Sequence, residues 1–229
     1  NTGVGIDALD ALTSGDDNTA VGSSAGTAIA SGNNNTCIGS QAGPAMAAQS
    51  NNTLVGANAG LNLNSSTNTA IGKDAFYTAT SSAGSDTAVG FSALYANTSG
   101  QYNTAIGHRA GDSITTGNYN LMHGWNAGEN LVDGSGNIII GSVDTAATDS
   151  ARTLKITSYD GTTTTNHVIS DGSGNVTLSA DLTIGDDFNM TTDSSVINFG
   201  ADSDTTLTHT DGTGLTLNGT NKLCFYDTA

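Results

Sequence analysis

The residues of this 229-residue chain that could do chemistry are few: four His, two Cys and a scatter of carboxylates. His123 is the most unusual, because its position otherwise takes Val or Ile. In an assembly of several chains it would recur in each copy and could share a metal ion or an anion, so His123 is the metal-ligand candidate. A His satisfied by hydrogen bonds is the simpler reading. His108 and Arg109 stand side by side at variable positions and read as a solvated turn. The stretch "DGSGN" occurs at Asp133–Asn137 and Asp171–Asn175. Asp/Asn-rich turns can supply oxygen ligands to calcium, but the spacing matches no calcium-binding repeat, and turn formation alone accounts for it. Tyr77, Tyr95, Tyr102, Tyr119 and Trp125 could form an exposed aromatic stripe for glycans, or pack at corners of the chain. Ser, His and Asp are present without an elbow or other catalytic frame. The expectation is no enzyme, no catalytic residue and no cofactor.

Composition restricts the partners. Net charge is −16, with 21 acidic residues against Lys73, Arg109, Arg152, Lys155 and Lys222. Such a surface repels phosphate backbones and argues against nucleic acid. No apolar run is long enough to span a membrane, and no signal peptide is present. Asn1 falls inside a repeat, so the chain reads as a fragment of a longer one. Cys37 and Cys224 read as small buried hydrophobes rather than a disulfide. With 30 Gly, 1 Pro and few large apolar groups, the chain lacks the material for one thick core. A thin, repetitive or oligomeric β architecture fits better.

What must position these residues is an internal repeat. Copies start at Asn1, Asn18, Asn35, Asn52, Asn68, Asp86, Asn103, Asn120 and Asn137. The step is 17 residues, with one of 16 and one of 18; this regularity means a solenoid. Slot 1 is Asn except at Asp86. Slot 2 is Thr in the first seven copies, slot 4 is Val or Ile in most, slot 5 is Gly throughout, and slot 8 is Ala. Stacked Asn residues predict a side-chain ladder. The fixed Gly predicts positive φ or a contact with no room for Cβ.

If slots 1–5 form a strand, slots 2 and 4 share a face of β-branched residues. Slot 3 faces the other way and is usually small, as in Ala20, Ala70, Ala88 and Ala105, which predicts close approach by another chain. Slot 12 is large in six copies (Leu12, Ile29, Met46, Leu63, Ile114, Leu131). Where it is Ala79 or Asn97, slot 9 turns from Gly to Phe76 or Leu94. Slots 9 and 12 should therefore fill one space. Each coil is expected to hold two short strands and two turns. Coils stack at about 4.8 Å, so the eight steps predict a rod of ~38 Å. Bulk at Leu121–His123 and Ile138–Ile140 marks the end of the repeat. Beyond Gly141, "SVDTAATDSA" reads as a linker. Short alternating strands follow, beginning "TLKIT", "HVIS" and "NVTLS" and running on to "KLCFY", with Asp-Gly turns between them.

The segments "NTAVGSSAG", "NTAIGKDAF" and "NTAIGHRAG" resemble the head repeats of YadA-type trimeric autotransporter adhesins, and more closely the "NTAIG" arrays of tail-fibre proteins of tailed phages. The downstream "DLTIGDDFNMTTDSSVINFGADSDTTLTHTDGTGLTL" resembles the β-rich shaft of such fibres. The resemblance implies a homotrimer, a left-handed parallel β-roll and a virion or surface fibre. The expected fold is all-β: a parallel β-roll of about 17-residue coils over 1–142, a transition over 143–152, and a β-rich trimeric shaft over 153–229. The expected role is a structural fibre segment in host attachment, with self as partner and a host glycan or protein bound through a distal part. The alternative is a bacterial outer-surface adhesin that itself binds matrix or glycan. A depolymerase would need paired carboxylates in a groove, which a thin roll of Ala, Gly and Thr does not offer.

Overall fold

The computed structural model describes residues 1–80, 84–145, 147–170 and 173–178. These residues are all-β: no helix occurs among them, and twelve strands form one sheet in chain order. Strands β1 (Thr2–Val4), β2 (Thr19–Val21), β3 (Thr36–Ile38), β4 (Thr53–Val55), β5 (Thr69–Ile71), β6 (Thr87–Val89), β7 (Thr104–Ile106), β8 (Leu121–His123) and β9 (Ile138–Ile140) are slots 2–4 of the nine copies. Each pairs parallel and in register with the next, Thr on Thr and Val or Ile on Val or Ile for the first seven. The chain is thus a β-solenoid with one coil per repeat.

The Asn ladder is the inner seam. In Asn35, Oδ1 accepts both the backbone N–H and the Nδ2–H of Asn52, at 3.1 and 3.2 Å. Asn120 does the same for Asn137 at 3.0 and 2.9 Å. Most of these Nδ2 groups also donate across their own coil, as Asn18 does to Gly32 O (2.8 Å) and Asn103 to Gly117 O (2.9 Å), while Asn68 turns back to Ser65 and Ser66 of the preceding coil. One buried amide therefore closes a coil and joins it to its neighbour. A buried polar group is tolerated only when its bonds are made, and here the repeat makes them.

Slot 3 is corrected by this geometry. Slot 1 points inward, and alternation sends slot 3 inward with it. Ala20, Cys37, Leu54, Ala70, Ala88, Ala105, Met122 and Ile139 are wholly buried. Slot 3 is small because the coil is narrow, and it is no surface on which another chain could rest. Slots 9 and 12 do share the interior. Phe76 and Leu94 are buried opposite Ala79 and Asn97, and Ile29, Met46, Leu63, Ile114 and Leu131 fill the other coils. Cys37 belongs to this core as a free thiol, and burial pushes its pKa up to about 12. Cys224 lies outside the described residues.

The second strand expected in each coil is absent from the described residues. Slots 6–17 form turns that nevertheless bond coil to coil, as Leu9 N–H does to Ala25 O at 3.1 Å and Gly26 N–H to Ala42 O at 2.9 Å. Left-handed residues at slots 7, 9 and 17 make the bends: Asn58, Phe76 and Tyr102 have φ of 58°, 53° and 59°. Slot 5 needs Gly for both predicted reasons. Gly56 has φ +137°, and a Cβ there would sit 2.5 Å from Gly72 O of the next coil.

The solenoid also runs further than the linker reading allowed. Residues 143–145 and 147–152 belong to the return arc of the ninth coil, where Gly128 N–H donates to Val143 O (2.9 Å) and Asn137 Nδ2 to Ser150 O (2.7 Å). Thr153 takes the Asn slot, its N–H bonding Asn137 Oδ1 at 3.0 Å. Strand β10 (Leu154–Tyr159) then pairs parallel with β9. Only after β10 does the chain reverse, through Asp160–Thr163, into antiparallel β11 (Thr164–Ser170) and β12 (Val176–Leu178). In that turn Asp160 Oδ1 accepts from the backbone N–H of Thr162 and of Thr163. The strands read from Leu182 onward lie outside the described residues.

Substituting Gly56→Ala would force a methyl group onto a neighbouring carbonyl at a φ that side chains avoid. The expected loss is about 3 kcal/mol, read as a lower thermal midpoint; an unchanged midpoint would show that the coils can part at this seam.

Candidate functional site

The outward surface of the sheet is made by slots 2 and 4. Thr residues of slot 2 are mostly half-buried. Val4, Val21, Ile38, Ile71, Ile106, Ile138 and Ile140 of the outward rows are more than a third exposed. In-register pairing places the slot 4 residues one above another as an apolar stripe, interrupted at the eighth coil, with Ile138 beside it at slot 2. His123 lies in this stripe, exposed, between Ile106 and Ile140 in the strand register. Among the described residues no group of three His, Cys, Asp or Glu is placed to hold a metal ion, at His123 or elsewhere.

The aromatic residues do not form one stripe. They form separate rows, because they occupy different slots and each slot runs along its own edge of the coil. Tyr77 stacks on Tyr95 at slot 10 with ring centroids 4.8 Å apart. Tyr102 stacks on Tyr119 at slot 17, at 4.9 Å. Slot 6 carries Lys73 over the ring of Phe91 (5.4 Å), Phe91 on His108 (5.1 Å), and then Trp125. The slot 6 and slot 17 rows flank the apolar stripe. Rings stacked so closely cover one another's faces, and π-faces are what a sugar or a flat ligand needs. Stacking along the axis is therefore the main role of the close pairs, in line with the packing alternative rather than with a single stripe.

His108 thus has a ring partner, and Arg109 has ionic ones. Arg109 Nε donates to Asp112 Oδ2 at 2.7 Å, and its terminal nitrogen lies 3.2 Å from Glu129 Oε1. Lys73 pairs with Asp74, which also accepts from Asn58 Nδ2 at 2.8 Å. The first "DGSGN" is a turn entering the ladder: Asp133 is exposed, while Asn137 is buried and fully engaged.

Asp86 is the one acidic rung. Its Oδ1 accepts from the backbone N–H of Asn103 at 2.7 Å. A carboxylate cannot donate to Gly100 O to close the coil, and Asn97 does so instead. Its Nδ2 donates to Gly100 O (3.2 Å) and its Oδ1 accepts from Gly100 N–H (2.8 Å). Asp86 and Asn97 are therefore one coupled exception. The sequence shows each as an oddity in its slot, but the bond that links them, from Asn97 Nδ2 to Asp86 Oδ2 at 3.5 Å, appears only in the fold. Burial pushes the Asp86 pKa up to about 7, against the opposing bonds from Asn103.

An unfolded Asp releases its proton near pH 4. The folded chain holds it to about pH 7, so between these values the folded state binds more protons and stability falls as pH rises. Above pH 7 the loss levels off. Melts across pH 4–8 should show this decline in the parent chain and a flatter profile in Asp86→Asn; parallel profiles would mean that Asp86 is ionised throughout.

In the sequence and structure comparisons, no protein-family model, curated protein or solved structure matches the chain.

Proposed function

We propose that this chain is a structural segment of a trimeric fibre, the tail fibre of a tailed phage or a related virion appendage that serves host attachment. The observation that carries this reading is the apolar stripe on the outward sheet face. Exposed apolar patches that are long and continuous mark surfaces that associate. Here the inside of each coil holds only one or two large side chains beside its small residues, so burying the stripe would add much to a thin core. Identical chains running side by side would match stripe to stripe at every coil, because each coil repeats the same spacing. The same requirement explains why the outward Val and Ile keep register over so many copies. The likeness of the repeats to phage fibre arrays and adhesin heads supplies the setting, outside the cell or on the virion. A solenoid of stacked Asn, Gly and Ala is a scaffold in this reading, and chemistry on a substrate is no part of it.

Light scattering on the purified segment tests the association. The expected mass is that of three chains of 22.8 kDa. The pair Ile71→Lys and Ile106→Lys, both on the outward face, should give single chains that keep their β circular-dichroism spectrum. A stable single chain for the parent protein overturns the reading.

A further inference from the structure

The slot 6 row ends in a gap. Trp125 is on the eighth coil, and the ninth coil offers only Ser142 at the same slot. Strand β10 has Thr157 where the coils have Gly, so it runs straight on instead of turning the corner and carries Tyr159 beyond it. The Trp125 and Tyr159 rings then face each other at 13° from parallel, with centroids 6.2 Å apart. The other ring pairs among the described residues stand at 4.8, 5.1 and 4.9 Å. Trp125 is 53% exposed and Tyr159 is 45% exposed. The Tyr159 hydroxyl donates to Gly161 O at 2.9 Å, which ties the ring to the following turn.

The geometry points to a carbohydrate cleft between Trp125 and Tyr159 that sandwiches a single pyranose ring. An all-equatorial pyranose presents axial C–H bonds on both faces, and each set can rest on the negative face of an aromatic ring. Carbon atoms pack at about 4 Å, so a sugar between two rings needs a spacing of about 8 Å. The exposed rings must part by roughly 2 Å, an adjustment that exposed side chains make within nanoseconds. A galactose-type ring carries an axial hydroxyl on one face and would lose one of the two stacking contacts. The net charge of −16 favours a neutral sugar over an anionic one. Phe91 and His108 cover one face of each other at 5.1 Å, whereas the wider Trp125–Tyr159 spacing brings two exposed rings together around a gap. The cleft belongs to a single chain, so it stands or falls separately from the trimer.

Trp125 is the only tryptophan in the chain, and its fluorescence reports on the cleft directly. Cellotetraose, a β-1,4-linked glucose oligomer, should change the emission saturably, and methyl β-D-galactopyranoside should act at least about tenfold more weakly. Tyr159→Ala should abolish the response to cellotetraose. Ser142→Phe, which fills the gap and completes the row, should abolish it while the thermal midpoint stays the same or rises. No saturable change with cellotetraose up to about 10 mM, equal responses to both sugars, or full binding by Ser142→Phe would each overturn the proposal. Light scattering on the same sample reads the assembly independently.

Discussion

A single side chain, the buried Asn at the head of nearly every coil, sets the conditions for the rest of the structure. Its carbonyl oxygen takes two donors from the next coil, and its amide nitrogen ties the start of its own coil to the end. A coil of 17 residues has too small an interior to be held by apolar burial alone. The ladder supplies directional bonds in a dry setting, where they are strongest and where leaving them unmade is most costly. It also fixes the spacing, because an Asn displaced by one residue would lose both partners. Hence the coil length is held near 17 even though the turn sequences drift.

Other constant positions follow from this seam. Coils drawn together by a shared amide bring the slot 5 backbones too close for a Cβ, so Gly persists there. Inward slot 3 inherits a narrow space, and its occupants trade volume with their neighbours. Leu54 fits where Gly43 and Gly60 flank it at slot 9, and a Cβ at Gly43 would press on the Leu54 methyl. Asp86 shows how strict the accounting is: one lost donor at the ladder is made good by a polar residue, Asn97, at a slot otherwise apolar or Ala. Neither change is intelligible without the other.

Much of this could be read from the sequence because a repeat converts structure into columns. The parallel register, the ladder, the double role of Gly and the exchange between slots 9 and 12 each appear as the behaviour of a slot. What could not be read was direction. A three-residue strand has one inward side, and the small slot 3 read as a face that another chain could approach. The buried amide decides otherwise: slot 1 must be inside, so slot 3 is inside, and the β-branched pair is left outside. The stretch 143–152 was obscured for a related reason. Its composition is that of a loop, but so is the second half of every coil, and only Thr153 standing in for Asn reveals that one more strand is stacked. The aromatic residues looked like a single stripe when counted along the chain; assigned to slots they fall into separate rows.

A fixed interior leaves the exterior free to vary, and the variation is not uniform. At slot 6 the early coils carry Ser23, Ser40 and Ala57, and the later ones carry Lys73, Phe91, His108 and Trp125. Slot 17 changes in the same direction, from Asp17, Asn34 and Asn51 to Tyr102 and Tyr119. Nothing in the ladder requires this, since the early coils close by the same bonds without aromatic rings outside. The enrichment reaches its limit where the coil gives way to antiparallel strands, and there the stacking row opens at Trp125 and Tyr159. The slot 10 and slot 17 rows also stop short of the last coil, but only at slot 6 does a second ring, Tyr159, stand across the interruption. One surface thus carries two arrangements: close stacking along the coils, and a wider, accessible pair of rings where the repeat ends.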